Sequence, residues 1–173
     1  MRKGARDVSG VARPAGTTVL VLAGSRSGAA DPVARAAGTS LKALAPVAGV
    51  PMLGRVLNAL AASEGVGTIL VSGVPANALG ALPAASALMA AGRLRAVPAA
   101  VSPSLSVAAA MSAHGTPLLV CTADHALLTP AMVAHFLAHA PAADAVAGLA
   151  RDAVILAAFP GTRRTWLRFR DPA

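Results

Sequence analysis

The chain has 173 residues, of which 55% are hydrophobic and 2% are aromatic, and its formal net charge at pH 7 is +8. This length fits one domain with a substantial core, which must be built from alanine, valine and leucine because the sequence holds one Trp, three Phe and no Tyr. Most of the positive charge lies near the two ends, which is typical of solvated flanks and argues against a specific nucleic-acid partner. The single Cys121 excludes an internal disulfide framework, fits a reducing compartment and is expected to be a packing residue.

The N-terminal segment differs from the rest of the chain. Residues 1–16 are basic and rich in small residues, and we predict a flexible tail there, followed by one domain over residues 17–173. The long uncharged stretches at 65–92 and 96–123 are broken by Pro, Gly and Ser, and neither reaches about 18 unbroken apolar residues. We therefore expect a cytoplasmic protein with no membrane partner.

Strands and helices alternate along the sequence. An apolar run at 18–23 predicts the first strand, and Pro51 begins a helix whose apolar residues fall on one arc. The remaining patterns predict strands at 67–72, 93–98, 117–122, 144–150 and, as an alternating ribbon, 162–171, and helices at 76–91 with a break near Pro83, from Ser102-Pro103 to 112, and from Thr129-Pro130 to 139. This alternation predicts an α/β fold with a mostly parallel sheet and helices on both faces.

The carboxyl edge of such a sheet is where ligands bind. Three segments are expected to meet there, namely the loop 24–42 after the first strand, the helix start at 102–106, and residues 123–125 after the most apolar strand. Gly24 lets the chain turn at the first strand end without a Cβ in the way of a ligand. The sequence therefore predicts a single crevice built from distant parts of the chain.

Charged side chains lie at this crevice. Arg26 and Lys42 supply positive charge beside the glycine turn, as expected for a phosphate site. Asp124 follows an uncharged strand, and a carboxylate at a strand end beside phosphates is a place to hold Mg²⁺. The alternative is that Asp124 only accepts backbone hydrogen bonds in a turn.

These residues form a pattern that resembles a known family, the NTP transferase domain of the molybdenum-cofactor guanylyltransferase-like nucleotidyltransferases. The resemblance covers roughly residues 17–150 and implies a three-layer, Rossmann-like, GT-A-like fold. It also implies Mg²⁺-dependent transfer of a nucleotidyl group from a nucleoside triphosphate to a phosphate or hydroxyl acceptor, with release of pyrophosphate. The pattern reads Leu22-Ala23-Gly24-x-Arg26, then Lys42-x-Leu44-x-Pro46-x-x-Gly49-x-Pro51-Met52-Leu53, then a strand ending in Asp124.

The resemblance also implies roles for individual residues. Arg26 and Lys42 would be catalytic by neutralising charge on the phosphates together with Mg²⁺, and Asp124 would be catalytic as the ligand of that metal. The implied nucleotide-binding residues are Leu22, Ala23, Gly24, Ser25, Arg26, Lys42 and Ser104.

The end of the chain departs from the family pattern. In this family the sheet continues beyond the matching region, and a second acidic metal ligand comes from that later part. We therefore expect the C-terminal, acceptor-binding part of the fold to be missing here. The nucleobase, the acceptor and any homo-oligomer stay open.

The sequence suggests three alternatives to an active nucleotidyltransferase. One is a catalytically impaired nucleotide-binding or regulatory protein with the same fold. Another is an interaction module that pairs through an open sheet edge. A dinucleotide-binding oxidoreductase is disfavoured because no G-x-G-x-x-G begins a helix after the first strand.

Overall fold

The computed structural model describes residues 16–25, 30–140, 143–163 and 165–167. The chain divides into two units, Met1–Leu137 and Ala138–Ala173. The strands are β1 (Thr17–Leu22), β2 (Pro46–Val47), β3 (Val50–Pro51), β4 (Val66–Ser72), β5 (Leu94–Val97) and β6 (Leu118–Thr122). The helices are α1 (Pro32–Ala36), α2 (Met52–Ala61), α3 (Ala76–Gly80), α4 (Pro83–Ala90), α5 (Pro103–His114), α6 (Pro130–His139) and α7 (Asp152–Ala158), with a 3₁₀ helix at Lys42–Leu44.

A parallel sheet forms the centre of the first unit. Its four strands lie in the order β5, β4, β1, β6, and each neighbouring pair is parallel. The register places Leu22, the last residue of β1, beside Ser72 of β4 and Thr122 of β6. The carboxyl ends of these strands therefore meet at one edge of the sheet.

The side chains of β1 alternate between two cores. Val19 and Val21, both 0% exposed, pack in the cluster that contains the buried side chains of α2, α3 and α4. Leu20 packs in a second cluster with Ala110 and Val107 of α5. Since successive residues of a strand point to opposite faces, the sheet is covered by helices on both sides, as the sequence predicted.

Local sequence explains where the helices begin. The hydroxyl of Ser102 accepts a hydrogen bond from the Leu105 amide, and Pro103 follows in the first turn of α5. Thr129 caps α6 in the same way, with its hydroxyl accepting from the Met132 amide at 3.2 Å. The predicted helix at 76–91 is two helices, because Pro83 begins α4 after a break.

Three short elements were not predicted from the sequence. They are α1, the 3₁₀ helix at Lys42–Leu44 and the β2–β3 hairpin, all between β1 and α2. Ala48 and Gly49 form the hairpin turn with φ of 49° and 77°, the left-handed pair that a two-residue hairpin of this kind requires. Each element is too short to give a periodic signal.

The second unit differs from the prediction. The strand expected at 144–150 is wrong, because residues 143–150 are all exposed and form no strand. Its small residues give a weak alternating pattern, and a strand needs a neighbour to pair with. The helix α7 follows this segment and contains no buried residue. The ribbon expected at 162–171 is absent from 162–163 and 165–167, and its other residues lie outside the described part of the chain.

None of the helices in the described ranges is both long enough and apolar enough to span a membrane.

Candidate nucleotide site

A cavity of about 410 Å³ opens at the carboxyl ends of β1 and β6. The three segments that the sequence predicted to share a crevice all contribute to its wall. The lining residues are Leu22, Ala23, Gly24, Ser25, Asp31, Lys42, Ala43, Pro103, Thr122, Ala123 and Asp124.

The first wall of the cavity is the loop that follows β1. The Ala23 amide donates to the Ser72 carbonyl at 2.8 Å, and the Ala123 amide donates to the Leu22 carbonyl at 2.9 Å. The pairing of the sheet thus continues past the strand ends and fixes the start of the loop. Arg26, which the resemblance assigned to the phosphates, lies outside the described residues.

The backbone of Gly73 packs closely against this loop at Gly24, a contact that was not predicted from the sequence. Its φ is +94°, and a Cβ added to it would lie 2.6 Å from both the Cα and the N of Gly24. Among the described residues, a Cβ on Gly24 would meet the Ala99 Cβ at 3.8 Å, an ordinary contact. Packing of the described residues therefore demands a glycine at 73 and not at 24. The available signal was a glycine directly after Ser72, which pairs with the end of β1.

Lys42 is fixed by its neighbours in the 3₁₀ helix. Ala43 and Ala45 are each 4% exposed, whereas the side chain of Lys42 is 37% exposed. The Ala45 amide donates to the Lys42 carbonyl, and the Met52 amide donates to the Ala45 carbonyl, both at 3.0 Å. These bonds tie the lysine segment to the start of α2 while its side chain faces the cavity.

Asp124 lies at the end of β6 and contacts Lys42. The Lys42 Nζ donates to Oδ2 of Asp124 at 2.7 Å, although the residues are 82 positions apart. The Thr122 hydroxyl donates to the other carboxylate oxygen. The bond from Lys42 is the largest cause that lowers the pKa of Asp124, the bond from Thr122 is the next, and the backbone contributes least. The partners of this carboxylate are therefore mainly side chains, not the backbone amides of a simple turn.

Comparison with known proteins identifies the family to which this arrangement belongs. The profile of the MobA-like NTP transferase domain matches residues 19–168. The chain belongs to this family. The family and fold inferred from the sequence are thereby confirmed. Comparison with curated proteins gave no match.

Two solved structures resemble this MobA-like chain. A hypothetical transferase from Thermus thermophilus is 27% identical with a TM-score of 0.64, and the match covers 90% of this chain and 60% of that protein. A CMP:2-keto-3-deoxy-manno-octonic acid synthetase, solved as a complex with CTP, is 17% identical with a TM-score of 0.47, and the match covers 72% of this chain and 46% of the synthetase. The MobA-like chain thus spans less than two thirds of the length of either protein.

The serine that the sequence selected lies away from the cavity of the MobA-like fold. Ser104 is exposed on the first turn of α5 and lines neither this cavity nor its neighbour. Ser102 and Ser106 line a smaller cavity of about 130 Å³ that shares Gly24 and Ser25 with the first. Ser106 is buried, and its hydroxyl accepts from the Ala100 amide at 2.9 Å. The role assigned to Ser104 stays a prediction.

The acidic residues of the MobA-like site determine whether the expected Mg²⁺ could bind there. Within 16–25, 30–140, 143–163 and 165–167, no group of three or more His, Cys, Asp or Glu side chains is placed to hold a metal ion. Asp31 lines the cavity, but its Oδ1 accepts from the Val33 and Ala34 amides and caps α1. Mg²⁺ commonly keeps several waters and binds through one or two carboxylates plus substrate phosphates. Asp124 fits that mode of binding, in which the phosphates of a substrate complete the ligand set.

Cys121 on β6 is packed against the main core, as expected from the sequence. Burial raises the pKa of its thiol to about 12, so the thiolate is scarce at neutral pH.

Proposed function

We propose that this chain is a cytoplasmic nucleotidyltransferase that binds a nucleoside triphosphate with Mg²⁺ in the cavity at the carboxyl ends of β1 and β6. It would transfer the nucleotidyl group to a phosphate or hydroxyl acceptor and release pyrophosphate. The proposal is carried by the 2.7 Å contact between Lys42 and Asp124, which joins a cation and a carboxylate beside the backbone of residues 22–25. Membership of the MobA-like NTP transferase family supports it.

The proposed reaction needs positioning and charge neutralisation, with no covalent enzyme intermediate. An oxygen of the acceptor forms a bond to the α-phosphorus, and the bond from that phosphorus to the bridging oxygen of the β-phosphate breaks. A hydroxyl acceptor releases its proton to water, whereas an ionised phosphate acceptor attacks with an oxygen that carries no proton. Pyrophosphate leaves with that oxygen. Lys42, together with Arg26 as the resemblance implies, would stabilise the negative charge that develops on the phosphates.

Asp124 is the proposed ligand of Mg²⁺, which would supply further positive charge at the phosphates when bound. In the free protein this carboxylate is engaged by Lys42 and Thr122. Substrate binding is therefore expected to draw the Lys42 ammonium from Asp124 to a phosphate oxygen. The ion pair between Lys42 and Asp124 holds both charged groups in place before the substrate arrives. Its hydrogen bond must break when Lys42 turns to the phosphate.

Release of pyrophosphate tests the proposal. Each of ATP, CTP, GTP and UTP is supplied with Mg²⁺ and a panel of sugar phosphates, pterins and alcohols, and binding of each triphosphate is measured by calorimetry in parallel. We expect binding of at least one triphosphate and pyrophosphate release that depends on an acceptor. If none of the four binds, the proposed function is wrong.

Binding without turnover would favour the alternative of a nucleotide-binding protein that lacks catalysis. The observation behind this alternative is that Asp124 is the carboxylate without a capping role in the cavity wall. The family pattern implies a second acidic ligand from a later part of the chain, and the described wall of the cavity holds no acidic residue beyond Asp124 in sequence.

Pairing through the sheet edge is a further alternative. In the part of the chain that the structure describes, β6 pairs with β1 and with no other strand, and Val120 is 38% exposed. An apolar edge strand is a template for another chain. Gel filtration tests it, because a strictly monomeric protein would argue against an interaction module.

A further inference from the structure

Arg55 on α2 contacts the segments that follow the two charged residues of the site. Its Nε donates to the Ala126 carbonyl at 3.0 Å, and its Nη1 donates to the Val47 carbonyl at 3.3 Å. Ala126 follows Asp124 by two positions, and Val47 lies in the hairpin after Lys42. A single guanidinium therefore joins the two segments whose side chains meet in the cavity.

We propose that Arg55 is a positioning residue that holds the Lys42 segment and the Asp124 segment in register for nucleotide binding. This inference rests on the proposed function. Arg55 is absent from the wall of the cavity, so it acts through the backbone of the two loops and not through the nucleotide. No role was predicted for Arg55 from the sequence.

The anchorage of Arg55 makes such a role feasible. Its neighbours Val56 and Leu57 are both 0% exposed in the main core, so the helix that carries it is held by packing. The guanidinium is planar and permanently charged, and its donors point in fixed directions. Hydrogen bonds from a charged donor are stronger than neutral ones. A rigid helix and a rigid guanidinium together restrict how far the segments at Val47 and Ala126 can separate.

The backbone hydrogen bonds of the described loop after Asp124 are local. The His125 amide donates to the Thr122 carbonyl at 3.2 Å, and the Leu128 amide donates to the His125 carbonyl at 2.9 Å. These bonds shape the loop but do not connect it to another element. The side chain of Leu128 packs against the core further along. Arg55 therefore supplies the hydrogen bond that fixes the loop to α2 close to the carboxylate.

Arg93 offers a matched control at the other edge of the sheet. Its Nη2 donates to the Val66 carbonyl at 3.1 Å, and it is partly buried like Arg55. Val66 is the first residue of β4, whereas the site lies at the carboxyl ends of the strands. Arg93→Ala removes the same chemical group and a similar bond without touching either loop.

The test compares Arg55→Ala, Arg55→Lys and Arg93→Ala with the wild type in two measurements. The first is the Kd of the best-bound nucleoside triphosphate with Mg²⁺, and the second is hydrogen exchange of the His125 and Leu128 amides without nucleotide. We expect Arg55→Ala to weaken binding by about tenfold and to speed exchange, because a charge-assisted bond to the loop is lost. Arg93→Ala should leave the Kd and the exchange rates unchanged. Arg55→Lys should lie between Arg55→Ala and the wild type in both measurements, because one charged nitrogen remains as a donor.

The proposal is overturned if Arg55→Ala matches Arg93→Ala in both affinity and exchange. If Arg55→Ala does not fold, Arg55→Lys decides by the same two measurements. If the wild type binds no nucleoside triphosphate, the proposed function fails, while the exchange rates still show whether Arg55 restrains the loop after β6.

Discussion

The central strands of the first unit and the helix of the second unit differ in how far their apolar residues are buried. In the first unit all seven residues of β4 are buried, and β1 is packed on both faces. In the second unit α7 has no buried residue, and large apolar side chains are exposed. They include Leu149 at 59%, Val154 at 62%, Phe159 at 57% and Leu167 at 65%. Apolar composition alone does not make a core, because each apolar face needs another layer to pack against.

The difference also explains where the candidate site lies. Its charged residues are held at strand ends and loops that are tied to the packed sheet, as with the Met52 amide on the Ala45 carbonyl and Arg55 on Ala126. A phosphate site needs fixed geometry, and a packed sheet supplies it.

The largest expected effect is a loss of unfolding free energy that differs between a substitution in the first unit and one in the second. Leu57→Ala removes a side chain that is 0% exposed and should cost about 2 to 5 kcal/mol of unfolding free energy, since it leaves a cavity. Leu156→Ala, at a side chain 43% exposed, should cost less than about 1 kcal/mol. Urea unfolding measures both. Equal losses would show that the second unit is packed as well as the first.

The next effect concerns the support of the loop after β1. Gly73→Ala should cost about 1 to 3 kcal/mol and weaken nucleotide binding, because the added methyl meets the Gly24 backbone at 2.6 Å and φ is +94°. Gly80→Ala is the control, since a Cβ there meets no atom of the described residues within 4 Å. Chemical denaturation and calorimetry report the two properties. A Gly73→Ala protein as stable and as active in binding as the control would refute the packing argument.

A smaller effect is a gain of stability in the hairpin after Lys42. Ala48 has φ of 49°, a conformation that asparagine tolerates better than alanine. Ala48→Asn should therefore raise the unfolding free energy by about 0.5 to 1 kcal/mol. Ala62→Asn, at an exposed residue with φ of −86°, should give no gain. A loss of stability in Ala48→Asn would contradict the assigned turn.

The smallest expected effect is the pH dependence of the Lys42–Asp124 pair. The folded pKa of Asp124 lies below its ordinary value of 3.8, so the pair stabilises the folded state above that value and less as pH falls through the lower pKa. The difference in unfolding free energy between wild type and Asp124→Asn should be constant from about pH 7 to 5 and shrink below about pH 3.8. Because both side chains are more than a third exposed, it should stay under about 1 kcal/mol. A difference that grows on acidification would contradict the sign.

Much of the first unit could be predicted because its signals are strong. The strands β1, β4 and β6 are uncharged apolar runs, and capping residues mark the starts of α5 and α6. The convergence of Lys42 and Asp124 followed from the rule that parallel strands end at one edge. Their direct contact did not, because it depends on the conformation of the loop and side chains between them.

Other features depend on tertiary structure that a sequence pattern does not encode. The need for glycine at 73 arises from the approach of a neighbouring strand end, and the partners of Arg55 are backbone carbonyls, which have no sequence signature. The strand expected at 144–150 was wrong because an alternating pattern of small residues forms a strand only where a partner is present.

The most direct test of the proposed site is the Kd of the Mg²⁺–nucleoside triphosphate complex for Lys42→Ala and Asp124→Ala. Arg95→Ala, at an exposed residue of β5, controls for the loss of a positive charge. We predict that each site variant weakens binding by about tenfold or more, and the control by less than about twofold, because Lys42 and Asp124 are the proposed contacts of the phosphates and the metal and Arg95 is not. Unchanged affinity in both site variants would contradict the account and place the nucleotide elsewhere.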